Sequence, residues 1–425
     1  MNDTIFALSS GSPPAAIAII RISGPAAGSA LAALAGGVPA PRHASYRELR
    51  VPRGTLLDRA LVLWFPGPNT ASGEDLAELH LHGGRAVVQA VQAALGALPD
   101  VRPAQPGEFT RRAFSNGRID LAEAEGLADL LSAETELQRR SAIAMAGGAL
   151  SRQVDAWRLR VLSASAAVEA ILDFADEDDV QGLPAAFRDD LATLAHEVGD
   201  WLSRPRAEVL KDGFRVVLAG PPNAGKSTLF NALVEDEAAI TAPIAGTTRD
   251  VLTRAVSLEG VPFVFADTAG LRDGTEDTIE AIGIERARSA LEGADLVLWL
   301  GPEGEGPVGA WDIAAQADRP GTSDKISARH RVSAVSGMGM EALRRDLINT
   351  AGATMPKPGE AALNARQRGF LSEAEAALCS ARGEEDPLLI AECLRRARVS
   401  FDSLVGRSTT EDMLDALFGR FCIGK

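Results

Sequence analysis

Gly220-Pro221-Pro222-Asn223-Ala224-Gly225-Lys226-Ser227 directly follows the apolar run Phe214 to Ala219. The run fits G-x-x-x-x-G-K-[ST] without a mismatch, in the strand-then-helix setting that a phosphate-binding loop requires. Glycines let the backbone fold around an anion with its N–H groups turned inward. Lys226 is placed to reach the outer phosphates of a nucleotide. Ser227 is placed to set its hydroxyl on Mg²⁺, and Thr228 continues the first helical turn. The helix opening near Lys226 adds its positive end to the same anion site. A glycine-rich turn that binds nothing is the competing reading, and two downstream motifs weigh against it.

The first is Gly246-Thr247-Thr248-Arg249-Asp250, in a loop before the alternating stretch Leu252 to Leu258. A threonine there can ligate Mg²⁺ and sense a γ-phosphate. The second is Asp267-Thr268-Ala269-Gly270, at the end of the apolar run Val261 to Ala266. A carboxylate at a strand end suits a Walker-B role, and Gly270 can turn its N–H toward the γ-phosphate. In this order and spacing the motifs read as the two switches of a GTPase. Guanine recognition is degenerate. The usual Asn-Lys-x-Asp aligns with Ala315-Gln316-Ala317-Asp318, so only the aspartate that pairs with guanine N1 and N2 remains. Ser333-Ala334 fits the loop that contacts guanine O6.

The chain has 425 residues, 46% of them hydrophobic and 24% charged, which fits two or three globular domains. With no signal peptide and no unbroken apolar stretch of about 18 residues, a soluble, cytoplasmic protein without membrane association is expected. Cys379, Cys393 and Cys422 have neither a disulfide nor a zinc spacing. The net charge of −15 makes a poor free-standing nucleic-acid binder. Any RNA substrate is therefore expected to lean on a partner's surface.

Residues 1 to about 118 read as α+β, with strands over Ala15 to Ile22, Leu57 to Phe65 and Asp75 to His82. In the last, Glu78, His80 and His82 share one face. From Ile119 to about Asp173 the pattern is helical and opens on an Asp120/Glu123 capping box. One further helix is expected over Ala185 to Val209. The nucleotide domain spans about 212 to 352, and Thr354 to Gly359 is a connector. Helices are then expected over Gln367 to Ser380, Leu388 to Leu404 and Thr409 to Phe421.

Several runs exceed generic GTPase features. They are Asp3-Thr4-Ile5, Arg21-Ile22-Ser23-Gly24, Gly73-Glu74-Asp75 with Glu78 and His82-Gly83-Gly84, then the run from Pro106-Gly107-Glu108-Phe109 to Ser115-Asn116-Gly117, and Phe421-Cys422-Ile423-Gly424-Lys425. Together, over nearly the whole chain, they resemble the tRNA modification GTPase MnmE (TrmE) family. The resemblance implies a multidomain α/β and α+β fold. Its parts are a tetrahydrofolate-binding dimerisation domain (1–118), a discontinuous helical domain (119–211 and 353–425) and an inserted Ras-like P-loop GTPase domain (212–352). It also implies a homodimer that acts with the flavoprotein MnmG (GidA). The product is a carboxymethylaminomethyl or aminomethyl group at C5 of the tRNA wobble uridine. GTP is the substrate, and Mg²⁺, K⁺ and 5-formyl- or 5,10-methylene-tetrahydrofolate are the implied cofactors.

Residue by residue, the resemblance implies folate contacts at Arg21, Glu78, Arg118 and Lys425. Arg118 stands where a lysine is common, which keeps the charge and changes the geometry. Mg²⁺ falls to Ser227 and Thr248; K⁺ falls to Asn223, the carbonyls of Ala242 and Ile244, and Thr247. Nucleotide contacts extend through Ala224, Gly225, Thr228, Pro243, Ala245, Gly246, Thr268 and Ala269. Leu271 follows the second switch motif, so a water-positioning glutamine is missing there, and the resemblance assigns that work to Glu280. Two other readings stay open: a GTP-gated RNA or ribosome assembly switch without one-carbon chemistry, and a P-loop phosphotransferase. Folate binding separates the first from the main reading, and the paired switch motifs argue against the second.

Overall fold

The computed structural model describes residues 3–51, 54–173, 183–234, 252–267, 291, 293–319, 325–408, 411–419, 421 and 424. By contacts the chain divides into two units, Met1–Ala128 with Asp402–Lys425, and Asp129–Phe401. Among the described residues no helix is long and apolar enough to cross a membrane.

The first unit is built on a six-stranded sheet. Its strands are β1 (Thr4–Leu8), β2 (Ile17–Ser23), β3 (Ser45–Arg50), β4 (Leu56–Phe65), β5 (Leu76–His82) and β6 (Val101–Pro103), in the order β3-β4-β5-β2-β1-β6. Alternation along β5 buries Leu79 and Leu81 and leaves Glu78 and His80 on the other, half-exposed face. Leu31 and Leu34 of α1 (Ala27–Ala35) and Val91 and Leu95 of α2 (Arg85–Gly96) pack with them in one core.

The run that begins at Pro106 forms α3 (Glu108–Ser115) and explains its own glycine. Gly107 sits at φ 68°, and a side-chain carbon there would lie 2.2 Å from the Phe418 carbonyl oxygen. Only glycine lets the late helix Glu411–Phe418 come this close. Arg111 of α3 pairs with Glu411 and, at 2.6 Å, with Asp415 on that helix. Leu121, Ala124, Leu414, Phe418 and Phe421 form the apolar part of the contact. The Asp120/Glu123 capping box is present, with reciprocal bonds of 2.8 and 2.9 Å opening α4 (Leu121–Ser132).

In the second unit, α5 (Glu136–Ala146) and α6 (Ala149–Asp173) lead to α7 (Phe187–Ser203) and α8 (Ala207–Asp212). The single helix expected over 185–209 is therefore two. Pro205 lacks an N–H and pushes Arg204 to ψ 152°, which ends α7. Trp157 of α6 is fully buried, 5.7 Å from the Phe401 ring and 6.0 Å from the Trp201 ring. Its indole N–H donates to Glu197 at 2.9 Å. Gly199 of α7 lies against Glu375 in the helix Ala365–Gly383, so helices on both sides of the nucleotide segment pack together.

Between them runs the second sheet: β7 (Phe214–Ala219), β8 (Leu252–Leu258), β9 (Val261–Asp267), β10 (Leu296–Trp299), β11 (Trp311–Ala314) and β12 (His330–Arg331). The order is β12-β11-β10-β7-β9-β8, parallel throughout except for the β8/β9 hairpin. β7 is central and nearly continuously buried, as a strand covered on both faces must be. Strand order reverses around it, with β9 on one side and β10 on the other. The loop leaving its carboxyl end is thus the expected ligand position of an open α/β sheet.

Candidate functional site

That loop is Gly220 to Gly225, and it runs into α9 (Lys226–Val234). Gly220 and Gly225 sit at φ 146° and 91°, and Asn223 at φ 62°, so three residues adopt the left-handed conformations that curl the backbone inward. Lys226 is 6% exposed, and its ammonium donates to the carbonyls of Gly220 at 2.9 Å and Pro221 at 2.7 Å, within the loop it serves. Ser227 Oγ donates to Asp267 Oδ2 at 2.6 Å. Asp267 ends β9 and is 1% exposed, so the two halves of the nucleotide motif, 40 residues apart, meet at the start of α9.

The guanine segment directly follows β11, a four-residue strand that sequence reading missed. Ala315, Gln316, Asp318 and Ala334 line one pocket with Gly225 and Thr228. The Ser333 hydroxyl donates to the Asp318 carboxylate and holds its pKa below the usual value. Ser333 is fully buried and also accepts from the Ser336 N–H at 3.1 Å, so it props the aspartate from behind. Gln316 donates its amide to the Asn223 carbonyl at 3.2 Å, a contact that sequence reading missed.

In the first unit Arg21 and Glu78 are register partners on β2 and β5. Arg21 places Nη2 and Nε on Glu78 Oε1 at 2.9 and 3.1 Å, and His80 Nε2 lies 3.2 Å from Glu78 Oε2. The Arg21 guanidinium also stands 6.0 Å from the Phe109 ring of α3. The Arg118 stem lies against Gly73, whose φ of 80° and lack of a side chain admit Asn116 and Arg118. No hydrogen bond or ion pair joins Arg118 to Arg21 or Glu78 among the described residues. Gly424, buried at φ 92°, passes Leu8 so closely that a side-chain carbon would lie 2.1 Å from the Leu8 carbonyl oxygen. Leu8 ends β1, whose Ala7 is the register partner of Arg21, so Gly424 passes the strand beside the pair.

A second cluster went unread in the sequence. Arg112 is 1% exposed and bonds Asp3 Oδ1 at 2.9 Å, Glu74 Oε2 at 3.1 Å and Glu108 Oε1 at 3.1 Å. Arg102 adds bonds to Glu108 at 2.6 Å and Asp3 at 2.7 Å. Burial alone would raise the Glu108 pKa; Arg102, the Gln105 N–H and Arg112 outweigh it and hold the carboxyl below its usual value. The signal was the i, i+4 acid–base pair inside the run from Pro106. These bonds tie Asp3, Gly73-Glu74-Asp75 and α3 into one support for the strands that carry Arg21 and Glu78.

Two family models match most of the chain. A profile of the GTP-binding protein TrmE N-terminus matches residues 4–118, and one of the MnmE helical domain matches residues 121–422. The chain belongs to the MnmE family of tRNA modification GTPases. Three relatives, all named tRNA modification GTPase MnmE, span the whole of this chain. That of Novosphingobium aromaticivorans is 65% identical and covered over 100% of its own length. Those of Erythrobacter litoralis and Rhizorhabdus wittichii are 62% and 60% identical, covered over 100% and 97%. Several residues singled out from the motifs or through the MnmE resemblance lie outside the described ones. They are Ala242, Pro243, Ile244, Ala245, Gly246, Thr247, Thr248, Thr268, Ala269, Gly270, Glu280, Cys422 and Lys425.

Proposed function

We propose that this chain hydrolyses GTP with Mg²⁺ and K⁺. With the flavoprotein MnmG (GidA), that cycle drives the folate-dependent addition of a carboxymethylaminomethyl or aminomethyl group to C5 of the tRNA wobble uridine in the cytoplasm. The observation that carries the nucleotide half is the 2.6 Å bond between Ser227 and Asp267. A hydroxyl and a carboxylate side by side at a helix N-terminus are hard oxygen donors that suit Mg²⁺, with Thr248 as a further ligand. Asn223 offers an amide oxygen from a left-handed loop position, which suits K⁺ together with the Ala242 and Ile244 carbonyls and Thr247. The two cations, when bound, neutralise charge that develops between the phosphates. Lys226 exchanges its loop carbonyls for outer phosphate oxygens, Asp318 accepts from guanine N1 and N2, and Glu280 orients the attacking water.

For the folate half, a carboxylate such as Glu78 suits the amide-like donor edge of a pterin. Arg21, Arg118 and Lys425 suit the anionic glutamate tail. The domain limits 1–118, 119–211, 212–352 and 353–425 and the homodimer belong to the same proposal. The net charge of −15 assigns most of the tRNA-binding surface to the partner.

The test is GTP hydrolysis by the full-length protein in KCl and NaCl at equal ionic strength. A cation held at the developing charge is worth ~3–4 kcal/mol, or about two to three orders of magnitude in rate. Asn223→Ala is expected to lose most of that stimulation while still binding GDP. Equal rates in the two salts would remove K⁺ from the account.

A further inference from the structure

We infer that Gln316 is a positioning residue for the cation site, binding the guanine loop to the phosphate loop through the Asn223 peptide. The inference rests on the proposed role of Asn223 as a K⁺ ligand. Gln316 stands where the guanine motif ordinarily has a lysine, and its side chain turns toward the phosphate loop. Its Nε2 donates to the Asn223 carbonyl at 3.2 Å across a separation of 93 residues.

Three further contacts fix that geometry. Arg319 donates Nη1 to Gln316 Oε1 at 3.3 Å, which sets the amide with its oxygen toward Arg319 and its nitrogen toward Asn223. The Arg319 N–H bonds the Gln316 carbonyl at 3.0 Å and closes the turn that holds Gln316 at φ 55°. A side-chain carbon on Gly225 would lie 3.2 Å from Gln316 Nε2 and 3.4 Å from its Cγ, so the amide packs against the bare backbone of the loop.

The consequence follows from backbone geometry. Asn223 is a non-glycine residue at φ 62°, a conformation that asparagine tolerates and does not favour. A bond on its carbonyl fixes the peptide plane after Asn223, and with it the backbone from which the Asn223 side chain departs. Gln316 also lines the pocket that holds Asp318 and Ala334. A base seated there braces the same amide that aims Asn223, so guanine occupancy and cation affinity are coupled.

The experiment uses the full-length wild type, Gln316→Ala and Gln316→Lys. GTP hydrolysis is followed against KCl concentration at constant ionic strength, and GDP affinity is measured by fluorescence titration of a labelled GDP in K⁺-free buffer. Loss of one hydrogen bond of this kind corresponds to roughly three- to tenfold. Gln316→Ala is expected to raise the KCl needed for half-maximal rate by that factor, and by more than it raises the GDP dissociation constant. Gln316→Lys, whose ammonium can donate to the same carbonyl, is expected to restore it. An unchanged KCl requirement in Gln316→Ala, or a shift confined to GDP affinity, overturns the inference and makes Gln316 a base contact only. A wild type equally fast in both salts overturns the cation reading and this inference with it.

Discussion

Gly424→Ala isolates the contribution of the C-terminal tail without touching any charged group. Gly424 sits at φ 92°, where an L-residue carries a strain of about 1–2 kcal/mol. The added carbon would lie 2.1 Å from the Leu8 carbonyl oxygen and 2.9 Å from its carbon. Leu8 is paired with Ile20 of β2, and β1 is held by β6 over Thr4–Phe6, so the strand gives way less readily than the chain end. The backbone at position 424 must move instead, by about 1 Å or more to restore an ordinary contact. If Lys425 supplies one charge-assisted contact to the folate tail, its loss costs ~1.5–3 kcal/mol, or about ten- to hundredfold in affinity. The assay is isothermal titration of 5-formyltetrahydrofolate into wild type, Gly424→Ala and a chain lacking Cys422 to Lys425. Thermal unfolding checks that each variant folds, and GTP hydrolysis serves as a control that should stay near the wild-type rate. Wild-type folate affinity in a folded Gly424→Ala would refute the reasoning.

Three further outcomes are expected. Glu280→Ala should lower the rate of GTP hydrolysis with little change in GTP affinity, the pattern of an interaction made in the transition state; lost affinity at unchanged rate would make it a binding residue. Asp318→Ala should erode the preference for GTP over ATP in competition binding, and Asn and Lys at positions 315 and 316 should raise GTP affinity, each base hydrogen bond counting for about 1–3 kcal/mol. Arg112→Met takes the arginine from Glu74 and leaves Glu108 to Arg102 and the Gln105 N–H, and should destabilise the first unit by about 3 kcal/mol in chemical unfolding. The Asp3 and Glu108 carboxyls have depressed pKa values in the folded state. Their contribution is therefore complete above the ordinary carboxylate pKa and is lost as pH falls through the depressed ones, so acid should narrow the gap between wild type and Arg112→Met.

Much of the nucleotide half was legible because its signals are local. An apolar strand, a glycine loop and a helix start occupy consecutive residues, and Asp267 closes a hydrophobic run that must be a buried strand. The Asp120/Glu123 cap is likewise a four-residue pattern. What escaped reading depends on distance in the chain. The Gln316–Asn223 bond spans 93 positions, and nothing in either segment alone signals it. The Arg102–Asp3 pair crosses 99 positions, although the Glu108/Arg112 spacing was a usable hint. Pro205 was visible, and the helical periodicity around it concealed the break between α7 and α8. At the chain end, Gly424 could be read as a residue that permits a tight passage, but only the fold supplies the strand it passes.

The central claim is that GTP hydrolysis by this chain serves wobble-uridine modification. The most direct measurement is mass analysis of nucleosides from purified tRNA of a strain lacking the gene, complemented with wild type, Lys226→Ala or Glu78→Ala. The account predicts that the C5 aminomethyl-type groups disappear in the deletion strain, return with wild type and stay absent with either variant. Unaltered wobble nucleosides in the deletion strain would contradict it and favour a GTP-gated assembly role.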